Sequence, residues 1–253
     1  MPAFDPLALL AVLAAFRFGG VVKGAMGFGL PLVTIAILPF LMEVETALAV
    51  NAVVLAATNI YQVMRSGRWR EGMTIAAPVM AGLVVATPLG AALATAMPRA
   101  VLLGLLGGFI VAFALQGLTG IGTGRARKGP VPLWRNLAAG AAGGVVGAFT
   151  STPGPVFVMH LAHLGLERGV FMATLGLLMG AVGVVLAASL AVAGPLDGGT
   201  ATLGAVACLP AFAGFRAGDA LGARLSGPAV RKGVLWLLAL LGATMLYGAL
   251  TGG

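Results

Sequence analysis

Long apolar segments follow one another along almost the whole chain, separated by short polar turns. Most are close to the ~20 residues that an α-helix needs to cross a bilayer. The pattern predicts an all-α polytopic membrane protein with about eight transmembrane segments. These are Leu7–Leu41 (interrupted), Val44–Met64, Gly72–Ala96, Arg99–Thr119, Asn136–Leu164 (interrupted), Arg168–Ala193, Thr200–Leu225 and Val230–Leu250.

The two interrupted segments are broken by glycine and proline at matching places. The first break lies in Gly19–Pro31 and the second in Gly143–Pro155. Backbone released from helical hydrogen bonding inside a membrane needs a cavity or a ligand to satisfy it. Matching interruptions in two halves of a membrane protein are therefore a signal for a binding site, of the kind that transporters carry.

The two halves of the chain also match each other at a nearly constant spacing. The most specific matches are the pairs Pro31/Pro155, Glu43/Glu167, Pro78/Pro210 and Arg99/Arg231. We therefore predict a first transmembrane repeat of four segments at 1–119, a linker at 120–135 and a second repeat at 136–253. Each repeat opens with a broken or re-entrant helix.

The distribution of basic residues predicts how the repeats are oriented. If both broken segments re-enter, one side holds most of the basic residues and the other holds Arg99. That side would carry Arg65, Arg68, Arg70, Arg125, Arg127, Lys128, Arg135, Arg168, Arg224, Arg231 and Lys232. If both segments cross, Arg168, Arg224, Arg231 and Lys232 lie on the same side as Arg99. The positive-inside rule favours re-entry, which predicts inverted repeats with both termini outside and 65–70 and the linker 120–135 cytoplasmic.

Composition narrows the functional class. The chain is 60% hydrophobic and 9% charged, with a formal net charge of +8. The basic residues lie in short loops without a basic-aromatic stripe, so nucleic acid is not expected as a partner. The single cysteine, Cys208, excludes an intramolecular disulfide. We expect a multi-pass protein of a bacterial-type plasma (inner) membrane.

Both breaks have the chemistry of an anion site. Freed backbone N–H groups and the positive end of the following half-helix stabilise an anion. The candidate substrate-binding residues are Gly27, Phe28, Gly29 and Pro31 in the first break and Thr150, Ser151, Thr152, Pro153, Gly154 and Pro155 in the second. The alternative is a helix kink at proline, with the threonine and serine hydroxyls capping the freed backbone.

Lys23 and His160 are the ionisable residues nearest the breaks. Lys23 lies one turn before Gly27 in an apolar run, so it either faces a cavity and offers a positive charge to an anion, or snorkels to an interface. Arg17 is nearer a helix end and is expected to snorkel. His160 is a further candidate for substrate contact or proton transfer. With His163 three residues away and no carboxylate or cysteine nearby, a metal site is not expected.

Arg216 and Asp219 are three residues apart and would share one helix face. One interpretation is a neutralised internal pair. The other is a gate or proton-coupling pair, in which protonation of Asp219 releases Arg216. The first-half counterparts, Val84 and Thr87, are uncharged.

At these residues the chain resembles the TauE/SafE family of membrane anion exporters, over nearly its whole length. The resemblance lies in a duplicated unit of a glycine-rich break, a proline, an apolar run and a small-residue helix with Asn or Thr. The matching stretches are Gly24–Pro31, Leu32–Met42 and Ala47–Asn51, then Gly147–Pro155, Val156–Leu166 and Met172–Thr174. Asn51 occupies the family's polar position and becomes a further candidate for substrate contact. The resemblance implies transport of a small sulfur oxyanion or organic anion, such as sulfite, a sulfonate, sulfoacetate or a carboxylate.

No phosphate-binding loop of the Gly-x4-Gly-Lys-Ser/Thr type is present. Transport is therefore secondary, passive or driven by a partner outside this chain, and no cofactor is expected. The expected partners are a small anion, the lipid bilayer and, for a secondary transporter, a coupling proton or ion. A passive anion channel and an intramembrane enzyme using Ser151 with His160 are the competing hypotheses.

Overall fold

The computed structural model describes residues 6–119, 131–162, 164–225 and 228–251, with only the backbone at 222–225 and 228–231. Most of the predicted linker (120–130), His163 and both chain ends lie outside these residues. The described part is all-helical, as predicted. Its α-helices are α1 Pro6–Met26, α2 Leu30–Ile37, α3 Val44–Ser66, α4 Trp69–Ala96, α5 Arg99–Thr119, α6 Leu133–Thr150, α7 Gly154–Ala162, α8 Arg168–Ala193, α9 Gly198–Leu225 and α10 Pro228–Thr251.

Seven of the described helices are long and apolar enough to cross a membrane: α1, α3, α4, α5, α8, α9 and α10. Helices α3 and α8 are the most buried of these, and they pack against each other at the centre of the bundle. The first broken segment supplies α1, which is one of the seven, and the short helix α2, whereas the second supplies α6 and α7, neither of which is among the seven. The polytopic membrane fold is therefore confirmed.

Each broken segment folds as a helix hairpin. In the first hairpin, α2 turns back along α1, so that Gly19 faces Leu30 and Thr34 while Gly29 faces Val22. In the second, α7 turns back along α6, so that Gly143 faces Phe157 and Gly147 faces Pro153. The contacts reverse in order along the partner helix, which is the mark of an antiparallel pair. Both segments therefore return toward the end of the bundle from which they came.

The two halves exchange their first helices. The most extensive helix contacts are those of α1 with α9 and of α6 with α4. Glycines allow the backbones to touch: a Cβ atom at Gly24 would lie 2.1 Å from the carbonyl oxygen of Phe215, and one at Gly140 would lie 1.9 Å from that of Val79. Small residues serve this purpose in membrane helix packing. Each half therefore completes the packing of the other.

Helix directions follow from the order of contacts. Helix α3 is parallel to α9, because Val53 meets Gly204 and, further along both helices, Arg65 meets Asp219. It is antiparallel to α8, since Gly176 lies against Val63 and Gly183 lies against Ala56. By the same criterion, α1 is parallel to α9. Helices α6 and α8 are both parallel to α4, whereas α5 is antiparallel to α10. Corresponding helices of the two halves consequently run in opposite directions. This arrangement supports the duplication with inverted orientation, which stays a prediction.

Charge is segregated between the two ends of the bundle. One end gathers Arg65, Arg68, Arg70, Arg135 and Arg168, and there Arg68 forms an ion pair of 3.3 Å with Glu167. At this end, hydrogen bonding to Glu71 raises the pKa of Arg68. Arg99 lies at the opposite end, 3.6 Å from Glu43. Which end faces the cytoplasm stays a prediction.

Candidate functional site

The tips of the two hairpins close in the same way. In the first, the N–H of Gly27 donates to the carbonyl of Lys23 at 2.6 Å; in the second, the N–H of Ser151 donates to the carbonyl of Gly147 at 2.7 Å. Gly27 has φ 84° and Ser151 has φ 52°, so both residues adopt the left-handed conformation that ends a helix. Among the described residues, Ser151 is the only non-glycine residue with positive φ.

The second helix of each hairpin also begins in the same way. The N–H of Val33 reaches the carbonyl of Gly29, and that of Phe157 reaches the carbonyl of Pro153, each at 3.2 Å. Pro31 and Pro155 lie in the first turns of α2 and α7, where a helix has no use for an N–H donor. The prolines therefore fix where these helices start, and the first turns leave N–H groups without intrahelical partners.

The two tips meet. A Cβ atom at Gly154 would lie 3.5 Å from Cδ2 of Phe28, which places the first break against the second. Two methionines of α8 line the junction, since Met172 lies against Gly27 and Met179 against Gly154. The structure thus brings together residues that the sequence placed in separate halves of the chain.

The hydroxyl groups of the second tip differ in how fully they are engaged. Thr150 donates to the carbonyl of Val146 at 2.6 Å, and its Oγ1 accepts from the N–H of Thr152 at 3.1 Å. The two threonine hydroxyls are 2.6 Å apart. The Thr150 side chain therefore acts as a backbone cap, of the kind that the alternative interpretation expected, and the Thr152 hydroxyl is bonded to it. Among the described residues, the hydroxyl of Ser151 has only one contact, a long one of 3.5 Å with the carbonyl of Leu48.

Lys23 is completely buried beside the first tip. Its Nζ donates to Oδ1 of Asn59 at 2.6 Å. In the part of the chain that the structure describes, no carboxylate lies within ion-pair distance of Lys23. The side chain does not reach the molecular surface, so it does not snorkel. A buried lysine amine with a neutral amide as its partner is the most unusual electrostatic feature of this region.

A buried polar stripe on α3 runs past both tips. It consists of Asn51, Thr58, Asn59 and Gln62. Asn51 donates to the carbonyl of Ala47 at 3.1 Å and accepts from the hydroxyl of Thr34, so it links α2 to α3. Gln62 donates to the carbonyl of Met172 at 3.1 Å, while its Oε1 has no hydrogen-bond partner among the described residues.

Asn59 is not among the candidate residues predicted from the sequence, although it is the partner of Lys23. Its spacing on the α3 stripe is the signal that would have included it. The side chain of Asn51, by contrast, is occupied by structural bonds.

The expected pairing of Arg216 with Asp219 is wrong. Oδ2 of Asp219 lies 2.8 Å from Nη1 of Arg65, and Nε of Arg216 lies 3.3 Å from the hydroxyl of Tyr61. The two residues do share a face of α9, but the parallel helix α3 packs against that face. Helix α3 carries Arg65, and Asp219 pairs with Arg65 instead of Arg216.

His160 lies at the open end of the second hairpin. Its Nε2 is 2.9 Å from Oδ1 of Asn136, near the start of α6. His160 comes six residues after Gly154, which on an α-helix is about 9 Å along the axis. The structure therefore does not gather His160 with the residues of the tips.

Comparison with known families agrees with this architecture. The family model described as "Sulfite exporter TauE/SafE" matches residues 11–245. No curated protein and no solved structure matches the chain significantly. Because the family match covers nearly the whole chain, the chain belongs to the TauE/SafE family, and it is a multi-pass membrane protein of an exporter-type transporter class.

Proposed function

We propose that this TauE/SafE family member is a secondary transporter that exports a small anion bound between the two hairpin tips. The substrate class is a sulfur oxyanion such as sulfite, or an organosulfonate or carboxylate such as sulfoacetate. The observation that carries the proposal is Lys23, a completely buried lysine whose amine donates to the neutral amide of Asn59.

The electrostatic argument starts from the cost of burying charge. Removing an ammonium ion from water costs several kcal/mol, and an amide oxygen repays only part of this. An anion at 4 Å would contribute roughly 4 kcal/mol at an effective dielectric constant of about 20. The positive charge of a protonated Lys23 is therefore best compensated when an anion occupies the site.

The hairpin tips supply the remaining complementarity. Helices α2 and α7 both begin at the tips, and a helix start combines unpaired N–H groups with the positive end of the helix dipole. A sulfur oxyanion has several oxygens that accept hydrogen bonds and no donor when fully ionised. N–H groups, the Ser151 hydroxyl and the Lys23 ammonium group are all donors, so the chemistry of the site suits such a ligand.

The arrangement of the hairpins supports transport rather than simple binding. They enter from opposite ends of the bundle and touch at Phe28 and Gly154. Movement of one hairpin relative to the other would open the junction to one end at a time, which is the requirement for alternating access. Arg216 and Asp219 stay candidates for gating or coupling, with Arg65 now the cation that protonated Asp219 would release.

The test is counterflow of labelled sulfite in proteoliposomes, with sulfoacetate and short carboxylates as competitors. We expect saturable exchange in the wild type and loss of uptake in Lys23→Met, which keeps the length of the side chain but removes its charge. Arg17→Met is the matched control, because Arg17 is an exposed cation on the same helix.

Equal loss in the two variants, or unchanged uptake in Lys23→Met, would contradict the assignment of Lys23. Linear flux without counterflow would favour the channel hypothesis. Appearance of a chemically altered product would favour the enzyme hypothesis.

A further inference from the structure

A groove lies between α3 and α9, apart from the hairpin tips. Its volume is about 380 Å³, and it is lined by Tyr61, Leu209, Phe212, Ala213 and Arg216. Four of these residues are apolar or aromatic and one is a cation. Leu209 is 72% exposed, and both helices are membrane spans, so the groove opens to the lipid side of the bundle.

Arg216 has no counter-ion in the described part of the chain. The nearest acid on its helix, Asp219, is bound to Arg65. The guanidinium group of Arg216 donates to the Tyr61 hydroxyl at 3.3 Å, which engages one of its five N–H donors with a neutral group. Arg65, Arg216 and Asp219 together leave one uncompensated positive charge at the rim of the groove.

Arg216 lies within the apolar span of α9, close enough to its end for the side chain to reach the lipid headgroups. The apolar span of α9 ends at Leu221, five residues beyond Arg216, which corresponds to about 8 Å along the helix. Arg65 occupies the last turn of α3, and Trp69 and Arg70 follow it at the same end. Arginine and tryptophan are residues that anchor a helix at the interface between hydrocarbon and headgroups. The side chain of Arg216 is long enough to reach that layer.

We propose that this groove binds one anionic phospholipid, with its phosphate on Arg216 and part of one acyl chain against Leu209 and Phe212. Guanidinium groups bind phosphate oxygens in a bidentate manner. The phosphate of phosphatidylcholine is a weaker partner, because the ammonium group of the same headgroup competes for it. The apolar lining favours an amphiphile over a free inorganic anion.

The groove is specific to one face of the protein. The positions that correspond to Tyr61, Phe212 and Arg216 in the other half are Val185, Met80 and Val84, which are all apolar. The equivalent face between α8 and α4 therefore has neither the cation nor the phenol. The proposal requires one tightly held lipid per chain.

The test is native mass spectrometry of the purified protein after exchange into a mixture of phosphatidylglycerol and phosphatidylcholine. The melting temperature is measured in each lipid alone and in inorganic phosphate. We expect one retained phosphatidylglycerol per wild-type chain and a higher melting temperature than in phosphatidylcholine. Arg216→Gln should lower phosphatidylglycerol retention about tenfold, as expected for loss of a charge-assisted hydrogen bond. Arg17→Gln, the exposed cation outside the groove, should retain it.

Further outcomes decide whether the groove is a site for an anionic lipid. Ala213→Trp fills the groove from an exposed position, so it should expel the lipid while leaving the protein monodisperse. Equal retention of both lipids by the wild type, or unchanged retention in Arg216→Gln, would overturn the proposal. Stabilisation by inorganic phosphate as large as that by phosphatidylglycerol would also overturn it, because the site would then bind a free anion.

Discussion

The two hairpin tips share a backbone and differ in chemistry. The first tip is Gly27-Phe28-Gly29 and the second is Ser151-Thr152-Pro153, yet both close with the same bond to the residue four positions earlier. Glycine adopts the left-handed conformation at little cost, whereas serine pays about 1–2 kcal/mol for it. The comparison teaches that geometry is common to both halves, while each half adds its own functional groups.

The two tips also differ in charge, because only the first has a lysine beside it. Lys23 corresponds to Gly147, where a Cβ atom would lie 2.6 Å from Cγ1 of Val182. The second hairpin therefore has no room for a long side chain at this position. The first tip supplies the cation and the second tip supplies hydroxyl groups, so an anion between them would be recognised asymmetrically.

The largest effect should come from breaking the packing that the two halves share. Gly24→Val and Gly140→Val would each force side-chain carbons onto a backbone carbonyl of the partner helix. We expect each to destabilise by at least about 3 kcal/mol, seen as loss of monodisperse protein on size-exclusion chromatography. Gly248→Ala, where an added Cβ meets nothing within 4 Å, is the control. If only one of the two valine variants misfolds, the halves do not depend on each other equally.

The next effect concerns the charge. Lys23→Met should weaken anion binding about 1000-fold, as measured by the substrate dependence of uptake, which is the factor that a contact of roughly 4 kcal/mol corresponds to. Adding Gly147→Lys should not restore it, because Val182 occupies that space. Recovery of uptake in the double variant would mean that the two tips are interchangeable, which would contradict an asymmetric anion site.

A reciprocal exchange at the tips should separate folding from recognition. Ser151→Gly should raise the free energy of unfolding by about 1 kcal/mol by relieving the left-handed strain. It should also weaken substrate binding several-fold through loss of the hydroxyl. Gly27→Ser should lower stability by a similar amount, because its side chain would also meet Met172. Thermal melts and transport assays on both variants check this, and unchanged affinity in Ser151→Gly would remove the hydroxyl from the site.

The smallest effect is expected at the ion pair that joins α3 to α9. Arg65 and Asp219 are each about half exposed, so Asp219→Asn should change stability by less than about 1 kcal/mol. Arg68→Gln, which breaks the pair with Glu167 between α4 and α8, should do the same. If Asp219 takes part in proton coupling, its variant alone should alter the pH dependence of transport. Identical pH profiles in the two variants would reject that role.

Local patterns were sufficient to predict the elements of the fold. Glycine and proline marked both breaks, and apolar length marked the spans, because these signals act within one helix or one turn. The charge distribution also favoured re-entry, and α1/α2 and α6/α7 do turn back on themselves.

The contacts between distant helices could not be predicted in this way. Lys23 and Asn59 are separated by 36 positions and meet because α9 packs against both α1 and α3. The predicted pairing of Arg216 with Asp219 failed for the same reason. Their spacing does place both residues on one face of α9, but Asp219 pairs with Arg65, which belongs to α3. Only the packing of parallel α3 and α9 reveals that competition.

The exchange of first helices has a consequence for how the protein is made. Helix α1 leaves the ribosome first, but its main partner α9 follows some 190 residues later. Until α9 is inserted, the face of α1 that carries Gly20 and Gly24 lacks its packing partner. The first half of the chain therefore cannot reach its final packing on its own. Its assembly is completed only when translation has passed α9.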